Sequence, residues 1–188
     1  MTDSPSTAQL SDEHYQQHTK QWVTNFVVEY NICPFAKREV ERGSIRYAVN
    51  GSDDVENLLQ QLITECQLLD EQADIETTMF IVPALQDFHD YLDMLNWAEQ
   101  LVSKQGYDGV YQLASFHPDY CFAGEPANEP SNYTNRSPYA TLHLIREKTI
   151  SRLTKLHPDP EGIPDRNIQV TEDLGSAALK QLLASCKN

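Results

Sequence analysis

Positive charge is what this sequence has least of: 14 lysine and arginine residues stand against 28 aspartates and glutamates, a formal net charge of −14. A field of that sign repels phosphate backbones and anionic lipid heads, so no nucleic-acid partner and no membrane partner are expected. A local basic pocket for a small anion stays open. Long apolar runs are also missing: nothing approaches the roughly 18 apolar residues of a membrane-crossing helix. The first residues, MTDSPSTAQLSDEH, have neither the basic nor the apolar region of a secretory signal. The expected location is therefore the cytoplasm. The four cysteines, Cys33, Cys66, Cys121 and Cys186, form no C-x-x-C pair, which in a reducing compartment reads as free thiols. No internal repeat and no linker divides the chain. The expectation is one domain over residues 11–188 behind a loose Ser/Thr/Pro-rich tail at 1–10. The sequence specifies no oligomeric state.

Regular patterning fills what remains. Ser11 precedes two acids and then Trp22, Val23, Phe26, Val27 and Tyr30 at helical spacing, which predicts an N-terminal helix stopped by Pro34. Ile45, Tyr47 and Val49 alternate as in a strand. The apolar stripe from Val55 to Leu69 predicts a helix, with Cys66 in its core face, and Thr77–Val82 a strand buried on both sides. Asp87 caps a second crossover helix that Gly106 ends in a left-handed turn, and Val110–Phe116 supplies a third strand. Ser137-Pro138 then opens a helix through Leu142, Ile145, Thr149 and Leu153, Ile168 and Val170 suggest a short edge strand, and Thr171 caps a final helix. The predicted fold class is α/β: a single domain with a small, mostly parallel three-stranded sheet, crossover helices, an N-terminal helix and two C-terminal helices.

The stretch from Gln112 to Glu147 concentrates the reactive side chains. His117 follows a predicted strand, where open α/β sheets gather ligands, and Asp119 stands two residues on. It is read either as an acid/base pair with Asp119 or as a histidine bonded to a neighbouring carbonyl. His143 and Glu147, four apart on the predicted helix, project from one face, as a surface pair or as a site. Two imidazoles and two carboxylates, His117, Asp119, His143 and Glu147, make a ligand set for a divalent metal ion if the loop folds back. Arg136 and Arg146, with Asn135, Ser137 and Tyr120 beside them, suit a small anionic molecule. Cys33, in Asn31-Ile32-Cys33-Pro34-Phe35, is either a thiolate paired with one of these imidazoles or a small buried residue. His14, His18, His89 and His157 read as solvated.

The motifs Cys33-Pro34-Phe35-Ala36, Ala114 to Tyr120 with Phe122, Thr134 to Tyr139 leading to His143-Leu144 and Arg146-Glu147, and Arg166-Asn167-Ile168 resemble a known family. Over nearly the whole chain the sequence resembles the bacterial family catalogued as domain of unknown function 1415, departing at Ala140, where a second proline is expected. The resemblance implies membership and a soluble protein, and brings no reaction with it. From the residues, three functions are expected in competition. The first is a hydrolase-like, metal-assisted enzyme acting on a small anionic metabolite, with Cys33, His117, Asp119, His143 and Glu147 as catalytic candidates. The second is a non-catalytic ligand-sensing or protein-interaction module. The third is a structural cluster that ties down a long loop.

Overall fold

Five consecutive residues, Thr77–Ile81, are buried on both faces, as the uninterrupted β-prone run requires. They form the second strand of the computed structural model, which describes residues 10–188. Of the expected tail, residues 1–9 lie outside the described residues. Helix α1 (Asp12–Trp22) continues through a π-helical turn at Val23–Val28, and α2 (Ala36–Arg42) ends at Gly43 with φ +65°. Strand β1 (Ile45–Val49), helix α3 (Val55–Glu71), β2 (Thr77–Ile81), α4 (Phe88–Lys104) and β3 (Tyr111–Phe116) follow as the periodicities predict. Asp87 caps α4 by accepting from the backbone N–H groups of His89 and Asp90, and Gly106 has the left-handed φ of +84°.

The next element departs from expectation. Residues Thr141–Arg146 form strand β4, followed by α5 (Glu147–Leu156) and α6 (Ile163–Ser185), which is broken at Gly175. The sheet therefore has four strands in the order β1-β2-β4-β3, with β1 and β2 parallel and β4 antiparallel to both neighbours. The three-stranded, mostly parallel sheet is corrected accordingly. Leu142, Ile145, Thr149 and Leu153 mimic a helical stripe, but Leu142 and Leu144 face one core while His143 and Ile145 face the other side. A strand inserted between two others satisfies its backbone groups on both edges, and that outweighs a local helix-start signal. Ile168 and Val170, expected in an edge strand, lie inside α6, and Thr171 donates to the carbonyls of Asn167 and Ile168 within that helix instead of capping it.

The two faces of the sheet carry separate cores. On one, Leu58, Leu62 and Leu69 of α3 and Tyr91 and Met94 of α4 pack on Phe80, Leu142 and Leu144. On the other, Trp22, Phe26, Met79 and Leu179 join α1 and α6 to the sheet. Among the described residues no helix is long and apolar enough to cross a membrane.

Candidate functional site

The register of β4 sets the site. His143 lies opposite Met79 of β2 and Ala114 of β3, so its ring rises from the middle of the sheet on the face covered by α1, α5 and α6. Between that face and the helices is a cavity of about 790 Å³. Its lining is mainly apolar, with Trp22, Met79, Phe116, Ile145, Leu153 and Ile163 on different walls. His143 belongs to the lining, and burial pushes its pKa down to about 4, so the ring is neutral at physiological pH. Its Nε2 lies 2.7 Å from Oγ1 of Thr77, a buried hydroxyl that donates to the carbonyl of Leu144.

Two acids mark one end of the cavity. Glu39 of α2, 7% exposed, accepts from the Ser44 hydroxyl at 2.6 Å, while the Ser44 carbonyl accepts from the backbone N–H of Glu76 at 2.9 Å. Oε1 of Glu76 is buried with no partner among the described residues, and so is the indole N–H of Trp22. Among the described residues the lining includes Glu39, Glu76 and Glu125 but no lysine or arginine, although Nε of Arg38, outside the lining, lies 3.6 Å from Oε1 of Glu39. Cys33 lines it too, with a thiol pKa raised by burial even though backbone N–H groups of Phe35 and Ala36 favour its thiolate. Arg166 donates to the carbonyls of Tyr30 and Asn31, and Asn167 to that of Ile32, so the start of α6 clamps the segment that carries Cys33.

Of the residues singled out from sequence, His143, Cys33 and Asn135 share this cavity. His117 does not reach it. It is fully buried on the opposite face, its ring tilted against those of Phe88 and Tyr91, with Nε2–H donating to the Leu85 carbonyl at 3.2 Å and Nδ1 accepting the Asp119 N–H at 3.0 Å. Burial lowers its pKa. The two imidazoles are separated by the sheet because His117 continues β3 beyond Phe116, and Phe116 faces the cavity side. Asp119 is exposed, and Glu147 begins α5 with its carboxylate accepting from Ser151 at 3.5 Å. The metal quartet His117, Asp119, His143 and Glu147 is thus not assembled, and among the described residues no three His, Cys, Asp or Glu side chains converge on a common point.

The arginines are also engaged elsewhere. Arg136 donates to the carbonyls of Tyr120 (3.0 Å) and Ala127 (2.7 Å) and lies over the Tyr133 ring, pinning the loop after β3. Arg146 donates to the carbonyls of Leu69, Gln72 and Ile75, tying the last turn of α3 to the turn that leads into β2. Ser137 is fully buried and donates to the Tyr139 carbonyl, Asn135 donates to the Ser115 carbonyl, and Tyr120 packs on Phe88 and Phe122. His18, expected in solvent, is 8% exposed and meets the Tyr139 hydroxyl at 2.7 Å. Thr77, Trp22, Glu39 and Glu76 were not singled out. Only the resemblance pointed to Arg166 and Asn167, with no role attached.

No curated protein and no solved structure matches the chain. The family model described as "Protein of unknown function (DUF1415)" matches residues 14–181, and the chain, carrying His143, Cys33 and Asn135 around one cavity, belongs to that family.

Proposed function

We propose that the protein binds a small, largely apolar molecule in the cavity between the sheet and helices α1, α5 and α6, as a ligand-binding module. One observation carries the reading: a cleft of about 790 Å³, partly open to solvent and lined mostly by hydrocarbon. Small-molecule sites are concave and run to about 300–1,000 Å³, with apolar walls and few polar groups. The anion-hydrolase reading has less support. Its two guanidinium groups are occupied by backbone carbonyls, its metal ligands are divided between the two faces of the sheet, and the cavity lining holds three glutamates and, among the described residues, no lysine or arginine.

Titration with a neutral solvatochromic dye such as Nile red tests the proposal. Saturable, blue-shifted emission is expected from the native chain. In Ala114→Trp and Ile145→Trp, which fill the cavity, dye affinity is expected to fall about tenfold or more, roughly 1.4 kcal/mol. No saturable uptake, or equal uptake by folded variants with the cavity filled, overturns it.

A further inference from the structure

The Thr77 hydroxyl has one hydrogen, and it is directed to the carbonyl of Leu144. The 2.7 Å contact between the same oxygen and Nε2 of His143 therefore runs the other way, with the imidazole donating. A neutral ring carries one N–H, so Nδ1 of His143 is a lone-pair acceptor, and no described residue donates to it. The contrast is His117, where both nitrogens are engaged by backbone groups. One histidine is complete in the folded chain; the other lines a cavity with one nitrogen unpartnered.

We infer that the cavity's occupant is an uncharged molecule with an apolar body and one hydroxyl or amide N–H donor, which hydrogen-bonds to Nδ1 of His143. The inference rests on the ligand-binding reading above and adds the chemistry of the head group. A carboxylate or phosphate head would enter a wall carrying Glu39, Glu76 and Glu125 and, among the described residues, no lysine or arginine, Arg38 meeting Glu39 from outside the lining. An ammonium head is drawn to the carboxylates of Glu39, Glu76 and Glu125 in the same wall, but seated on His143 between Met79 and Ala114, the residues paired with it across the sheet, it would meet only a neutral ring in place of water. A hydroxyl or amide N–H loses little by leaving water once its hydrogen is accepted.

Displacement of Nile red by octan-1-ol, its methyl ether, octanoate and octylamine tests the assignment. The alcohol is expected to displace dye at about tenfold lower concentration than each of the others. In His143→Phe the ratio of alcohol to ether affinity should fall to about one, whatever the change common to both. Imidazole ¹⁵N spectra of the native chain supply a readout that needs no variant. They should report an Nε2–H tautomer, with the Nδ1 signal moving on addition of alcohol and not of ether. Equal affinity for alcohol and ether, tighter binding of octanoate or octylamine, or an Nδ1–H tautomer overturns the head-group assignment while leaving the cavity reading in place. Failure of the dye to bind removes both.

Discussion

Polar side chains decide where this chain can do chemistry, and the test at each is what its hydrogen-bonding atoms already touch. Arg146 serves three backbone carbonyls. Arg146→Ala is therefore expected to cost about 1–2 kcal/mol in urea unfolding, because partly buried carbonyls lose a charged donor, while dye affinity stays within about twofold. A large loss of ligand binding with unchanged stability would return this arginine to a substrate role. His143 behaves differently because it titrates. In the folded chain it takes up a proton only near pH 4, whereas in the unfolded chain it does so near its ordinary value of about 6.5. Between those values the unfolded chain binds more protons, so stability falls as pH drops through that window, by on the order of 3 kcal/mol from this residue. Urea unfolding of His143→Phe across the window should lack that component; an unchanged pH slope would place the imidazole in water. Spacing rules made His143 a candidate, but Thr77, which sets its tautomer, stands 66 residues earlier. No local pattern connects the two.

Secondary-structure elements were predictable wherever a single periodicity explained the run. The α3 and α4 stripes and the fully buried β2 belong to that class. The stretch after Ser137 carried two periodicities at once, and the sequence alone favours the helix because Ser-Pro is a start signal. Two open strand edges, on β2 and β3, turn Thr141–Arg146 into a strand. Helix α6 gives a sharper mutational sign. Gly175 sits at φ +75°, ψ 151°, a conformation reserved for glycine, between two helical segments. In a continuous helix Gly175→Ala would stabilise by up to about 1 kcal/mol. Here it is expected to destabilise by about 1–3 kcal/mol, and thermal denaturation distinguishes the two signs. The break lies beyond Ile163, Pro164 and Asn167, which line the cavity, so the variant also reports on whether that wall depends on the bend.

At the scale of the molecule, the sheet separates two cores, and the helices of its cavity face do not fill the space above the strands. Interior strands are protected on both edges, so amide hydrogen exchange is expected to be slowest in Thr77–Ile81 and Thr141–Arg146 and faster in the edge strands Ile45–Val49 and Tyr111–Phe116. Rapid exchange over Thr141–Arg146 would contradict the four-stranded order. The sequence by itself determined the acidic field, the crossover helices, the buried central strand and the membership carried by its motifs, because each is written in neighbouring residues. Only the tertiary structure decided that His117 and His143 lie on opposite faces, that the arginines hold carbonyls, and that a cavity exists. Those facts depend on strand order and on the side of the sheet each residue faces, and backbone pairing between distant segments sets both.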